Sequence, residues 1–284
     1  MASEPEPRVM LAYPAYPGAI DFRSLLAAAV QASESLHVTL LPSIGSEACR
    51  AFNLCWAAAL TLARRGEATH FAMLHSDVCP EAGWLDVLME ELRAHDAHLV
   101  SAVIPIKTGH GVTSTAIDRP GAPWYTRRLT MTEVFALPET FGFADTIAAG
   151  LNPEYRPFLV NTGCFVLDLR KPEWYETNEH GEFYFHFTMN HRVRDSADGL
   201  VEADAESEDW FFSRRMAARG LRYYATRKVR LQHVGPHGFP NTAAWGDWKT
   251  DLGAERSERH TMLDGWPALD APPEAVEWSD CAIA

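Results

Sequence analysis

The first 105 residues alternate apolar runs with amphipathic stretches, and this alternation constrains the fold more than any other property of the chain. Val9–Tyr13 is a short apolar run stopped by Pro14 and then by Pro17-Gly18, which predicts a buried strand ending in a turn. Residues 21–32 read as a helix, 37–41 as a second strand and 42–46 as a turn. Over 47–65, Ala51, Leu54, Cys55, Ala58 and Leu62 fall at helical spacing, and Gly66 follows as a C-terminal cap. A third strand, 70–74, runs straight into His75-Ser76-Asp77; a helix over 84–94 and a strand over 98–104 complete the series. Such a series implies an α/β fold with a Rossmann-like, mostly parallel central sheet flanked by helices. Ligands of such sheets bind beyond the carboxyl ends of the strands, so Tyr13, Ser46 and the His75–Asp77 triplet are expected at one rim.

Beyond residue 106 the periodicity weakens. Residues 107–157 are rich in Thr, Gly and Pro and read as a long, partly ordered insertion over the site. Residues 158–169 resume as a strand or hairpin interrupted by Asn161-Thr162-Gly163, 207–220 as a helix, and 222–226 and 229–232 as short strands. The remainder is a wrapping tail rich in Trp, Pro and acid. With 284 residues, 47% of them hydrophobic, the chain is long enough to bury one large core. No run reaches the roughly 18 apolar residues of a membrane span, and MASEPEPRVM lacks the basic-then-apolar order of a signal peptide. A cytoplasmic location and no membrane partner are therefore expected. Five scattered cysteines fit reduced thiols and argue against a thiolate zinc site. A net charge of −13 argues against indiscriminate coating of nucleic acid.

Three separated segments carry the chemistry. An apolar strand delivers His75-Ser76-Asp77 at its exposed end, where Asp77 suits a hard cation that keeps room for a diphosphate; taken alone it reads equally well as a helix cap. Glu208-Asp209 supplies a carboxylate pair able to take a proton from a hydroxyl, or simply an acidic first helical turn. His233 follows a short apolar strand, where a histidine is more often packed than ligating, although neutral imidazole also binds Mn2+. Lys107 opens a polar cationic loop. Residues 195–209 hold seven acids and no Lys or Arg, whereas 210–237 hold seven cations and no acid. The cationic block, which includes Arg214, Arg215 and Arg219, reads as a solvated helix face or as a groove for an anionic acceptor or phosphates.

In this order the motifs resemble those of GT-A fold glycosyltransferases, especially compact phage and bacterial members, over most of residues 8–237. The resemblance implies a single GT-A domain with a nucleotide-binding half (8–105) and an acceptor half (106–237), after an extended N-terminus (1–7) and before the tail (238–284). The family's Asp-x-Asp triplet stands here as His75-Ser76-Asp77, so Asp77 inherits the metal-ligand role, with His233 as the late metal-binding histidine and His75 placed at metal or ribose. Asp209 becomes the general base with Glu208 beside it. Tyr13, Pro14, Ser46, Arg50, Asn53, His75, Ser76, Lys107, Thr162 and Gly163 fall where the donor is contacted. The implied activity is inverting transfer of a hexose from a nucleotide diphosphate sugar, UDP-hexose in particular, to a hydroxyl acceptor with Mn2+ or Mg2+. Similarity to phage enzymes makes 5-hydroxymethylpyrimidine in DNA one candidate acceptor, beside a glycan or small molecule. Two other classes fit the same residues: a metal-dependent phosphoester hydrolase, and a non-catalytic nucleotide-sugar-binding module.

Overall fold

Strand and helix alternate through the first third of the computed structural model, which describes residues 6–16, 20–119, 126–195 and 201–251. In chain order these are β1 (Arg8–Ala15), α1 (Phe22–Ala29), β2 (His37–Ile44), α2 (Ala48–Arg64), β3 (His70–Leu74), β4 (Val78–Pro80), α3 (Trp84–Ala94) and β5 (Leu99–Ala102). Asp21 caps α1 by accepting the Arg23 N–H at 2.8 Å, and Gly66 ends α2 with φ +71°. Two expected stops fail. β1 continues through Pro14, which lies past the last β1–β3 pair, Ala12↔Met73, where one side of the strand is already unpaired. β2 continues through Pro42 because it is the edge strand, where a missing N–H interrupts no outer ladder. The Pro17-Gly18 turn and the first five residues lie outside the described residues.

The later elements are β6 (Val112–Asp118), β7 (Thr126–Thr130), α4 (Met131–Ala136), β8 (Thr140–Phe141), α5 (Phe143–Ala148), β9 (Phe158–Leu159) and β10 (Cys164–Asp168). They are followed by β11 (Asn190–Asp195), β12 (Val201–Glu206), α6 (Glu208–Ala218), β13 (Tyr223–Thr226), β14 (Leu231–Val234) and β15 (Gly238–Pro240). The main sheet has the order β2-β1-β3-β10-β5-β13-β8. Only β10 and β8 run against the other strands, so the sheet is mostly parallel, with one reversed strand wedged between β3 and β5.

Alternation along the strands divides the core. Met10, Ala12, Phe71 and Met73 pack toward α2 and α6 with Phe52, Trp56, Trp174 and Phe212; Val9, Leu11, Tyr13, Ala72 and Leu74 pack toward α1 and α3 with Trp84, Leu85 and Leu88.

Residues 107–157 correct the expectation of a loose insertion. β6 and β7 pair there, β6 also pairs with β9, and Thr130 and Glu133 close a capping box at the start of α4. Over 158–169, expected as a strand or hairpin interrupted at 161–163, β9 and β10 flank that interruption and belong to different sheets, so they form no hairpin. The start of the tail is part of the fold. β15 pairs with β14, and the Asn241 amide donates to the Val103 and Val229 carbonyls at 3.0 and 2.8 Å. Residues 252–284 of the tail lie outside the described residues.

Candidate functional site

The turn at His75-Ser76-Asp77 is clamped by its backbone. The His75 N–H donates to the Gly163 carbonyl at 2.8 Å, the His75 carbonyl accepts the Ser24 hydroxyl at 2.8 Å, and the Ser76 carbonyl accepts the Asp21 N–H at 3.0 Å. The chain then enters β4, which pairs antiparallel with β14 so that His233 stands opposite Val78, while the Val234 N–H donates to the Asp77 carbonyl at 2.8 Å. This small sheet brings a histidine from the end of the domain beside a triplet some 155 residues earlier.

His233 Nε2 lies 3.3 Å from Asp77 Oδ2. Its Nδ1 lies 2.7 Å from the Pro105 carbonyl oxygen, which only accepts, so Nδ1 carries a proton and Nε2 faces the carboxylate. Lys107 Nζ reaches the same Oδ2 at 2.5 Å. Burial opposes ionisation of Asp77, but His233, His75 and Lys107 together outweigh it and hold its carboxyl well below the usual range. His75 packs against Phe52 at a ring separation of 4.9 Å; burial lowers its pKa against the opposing pull of Asp77 and Asp209, and its Nε2 is buried without a hydrogen-bond partner. The imidazole is therefore neutral at neutral pH.

Asp77, His75, Ser76 and Lys107 line a cavity of about 610 Å³ together with Pro14, Ser46, Asp21, Phe52 and Glu208. Pro14, Ser46, His75, Ser76 and Lys107, all named from the sequence, thus line one cavity. Asp21 and Phe52 had no signal of their own: one reads as a helix cap and the other as core, and only the sheet topology carries them to this rim.

Several predicted residues are placed otherwise. Tyr13 is 1% exposed and packs with Val9 and Leu11 toward α1, because its position on β1 turns it to the opposite face from Pro14. The Asn53 amide brackets Phe187, donating to its carbonyl at 2.7 Å and accepting its N–H at 2.9 Å. Arg50 lines a different cavity, with Glu47 and Thr188. Gly163 makes room for protein, since a Cβ there would lie 2.8 Å from Ile104 Cδ1 and 3.5 Å from His75 Nδ1.

The two carboxylates face different surroundings. Asp209 Oδ1 accepts both the Thr162 N–H at 2.9 Å and the Thr162 hydroxyl at 2.5 Å, so Thr162 and Asp209 lock the 161–163 loop onto α6. Glu208 faces the cavity instead. Successive helical residues are about 100° apart, so one carboxylate turns to the loop and the other to the cavity. Burial first, and then the charge of Asp209, push the Glu208 carboxyl up to about 8.

The cationic block divides between ion pairs and a second cavity. Arg214 is held by Asp118 (3.0 and 2.7 Å) and Glu206, and Arg219 by Glu176 at 2.6 Å. Arg215 donates to the Tyr184 carbonyl between the Tyr184 and Phe211 rings, and together with Arg219 borders a separate cavity of about 820 Å³ beside α2. Arg222, Lys228 and Arg230 pair with Asp96, Glu91 and Glu81, and Arg227 donates to the Leu137 carbonyl. The cations that look contiguous in sequence are spread around the molecule, six of them on carboxylates or a ring-lined carbonyl before any ligand arrives.

No family model matches this chain, and no curated protein does. One solved structure, described as A197 from STIV, is similar over 80% of this chain and 86% of its own, with 14% identity and a TM-score of 0.44. Among the described residues, no helix is long and apolar enough to cross a membrane, and no three His, Cys, Asp or Glu side chains are grouped to hold a metal ion. Cys49, Cys55, Cys79 and Cys164 are free thiols.

Proposed function

We propose that the chain is a divalent-metal-dependent glycosyltransferase that moves a hexose from a nucleotide diphosphate sugar, UDP-hexose in the first instance, to a hydroxyl acceptor with inversion. The observation that carries this reading is the pairing of Asp77 Oδ2 with the Nε2 of His233 at 3.3 Å, with Asp77 lining a cavity that Glu208 also lines. The His233 ring keeps its Nδ1 proton on Pro105, so its Nε2, when unprotonated, offers an electron pair beside the Asp77 carboxylate, and a cation held by both would take the place of the proton that otherwise joins them. Two protein ligands would be enough for Mn2+ or Mg2+, which readily keep phosphate oxygens and water in their coordination. Held by Asp77 and His233, such an ion would supply positive charge to the departing diphosphate.

The chain's own groups would do the rest. The Glu208 carboxylate takes the proton of the acceptor hydroxyl as its oxygen forms a bond to the anomeric carbon; the bond from that carbon to the diphosphate oxygen breaks, and the nucleotide leaves with the electron pair. A carboxyl pushed up to about 8 is a stronger base than an exposed glutamate and still partly ionised at neutral pH. Phe52 and the neutral His75 form an apolar wall for base or sugar, and the clamped triplet turn fixes the position of Asp77.

With the arginines engaged, charge gives no preference for a polyanionic acceptor, so hydroxymethylated DNA competes with glycans and small hydroxyl compounds on equal terms. The test is nucleotide release from UDP-sugars with Mn2+, over acceptors that include hydroxymethylated DNA, unmodified DNA and oligosaccharides. Acceptor-stimulated release that Glu208→Gln abolishes while nucleotide binding persists is the expected result. Equal release without acceptor would instead identify a hydrolase, and binding with no release under any condition a non-catalytic module.

A further inference from the structure

Asp77 Oδ2 is the oxygen that faces His233 Nε2, and it is also the oxygen on which the Lys107 ammonium rests at 2.5 Å. Lys107 reaches it from the loop after β5 by lying across Gly235, where a Cβ would come within 3.1 Å of Lys107 Cδ. Among the described residues Asp77 is the carboxylate that Lys107 contacts, and both side chains line the 610 Å³ cavity at about one-third exposure, 33% and 36%. An ammonium and a divalent ion cannot share one carboxylate oxygen closely, because their charges repel at separations of a few ångströms.

We propose that Lys107 is the resident counter-cation of Asp77, an internal competitor that leaves when a divalent ion binds and is then free to bind the diphosphate that arrives with it. The proposal rests on the cation-site reading above and adds to it a coupling: the ion binds weakly to the empty cavity, and diphosphate, by giving Lys107 a new partner, tightens it. Anionic ligand and metal are thereby taken up together. Linkage makes the effect reciprocal: the factor by which diphosphate tightens the ion is the factor by which the ion tightens diphosphate.

The experiment is a Mn2+ titration of the full chain, followed by the loss of the free-ion paramagnetic resonance signal, with and without inorganic pyrophosphate. Lys107→Met keeps the stem over Gly235 and removes the charge; Lys107→Arg keeps the charge; Asp77→Asn reports on the site itself. A partly exposed ion pair corresponds to a change of about 5-fold in affinity. Lys107→Met is therefore expected to bind Mn2+ alone about 5-fold more tightly than wild type, with Lys107→Arg close to wild type and pyrophosphate enhancing Mn2+ binding less in Lys107→Met. Equal or weaker Mn2+ binding by Lys107→Met, while Asp77→Asn abolishes it, would overturn the competitor role and leave the cation site standing. Absence of saturable Mn2+ binding to every variant, with or without pyrophosphate, would remove both.

Discussion

Replacing Glu208 by glutamine should stabilise the fold above neutral pH while eliminating transfer, and the size of the first effect follows from the position of the side chain. Glu208 sits half-buried at the first turn of α6, beside Asp209, and its carboxyl is pushed from 4.5 up to about 8, chiefly by burial. In the unfolded chain that carboxyl loses its proton near its ordinary value, whereas the folded protein keeps the proton until the raised one. Stability therefore falls as pH rises from about 4.5 to about 8, and is lowest above that window. Converted at about 1.36 kcal/mol per unit, the full shift amounts to roughly 5 kcal/mol. The side chain is partly exposed on the cavity, so about 2 kcal/mol is the expected working figure. Glutamine matches the protonated acid in shape and does not ionise. Urea denaturation of wild type and Glu208→Gln should give nearly equal stabilities at pH 4.5 and a glutamine variant more stable by about 2 kcal/mol at pH 8.5. A stability difference independent of pH across this range would refute the assignment of Glu208 as a carboxylate held in the cavity against its own ionisation.

Two further substitutions separate framework from site. Asn53→Ala should cost about 3 kcal/mol in denaturant unfolding, because it strips the N–H and carbonyl of Phe187, 1% exposed, of both their partners. A neutral result there would return Asn53 to the donor-contacting residues. Arg214→Met should likewise cost about 3 kcal/mol by leaving Asp118 and Glu206 without their shared cation, yet leave calorimetric binding of UDP unchanged. Loss of UDP binding at unchanged stability would reinstate the cationic groove.

The α/β alternation was legible wherever local pattern and topology coincide: α3 spans the predicted 84–94, and β3 runs into His75 as expected. The reversed strand β10 was not legible, because an apolar run such as Cys164–Asp168 carries no direction, and a fully buried strand looks the same either way. The Thr-rich stretch around β6 and β7 hid its strands behind turn-like composition, since buried Thr113 and Thr115 read as polar loop residues in sequence. At the site, the three polar segments could be named but not oriented. Which of Glu208 and Asp209 faces the cavity depends on the rotation of α6, and that rotation is set by Thr162, 47 residues away, which takes Asp209 for itself. Tyr13 and Asn53 failed for the same reason, since strand parity and a backbone bracket decide where each side chain goes. The ion pair of Lys107 with Asp77 links loops 30 residues apart and left no trace in spacing.

The central claim is tested most directly by diffraction from crystals grown with Mn2+ and UDP, with data collected to reveal the manganese by its anomalous scattering. One peak within coordination distance of both Asp77 Oδ2 and His233 Nε2, bridged to the diphosphate in the cavity, is the predicted result. UDP bound in that cavity with the Asp77–His233 pair still closed and no peak beside it would contradict the account.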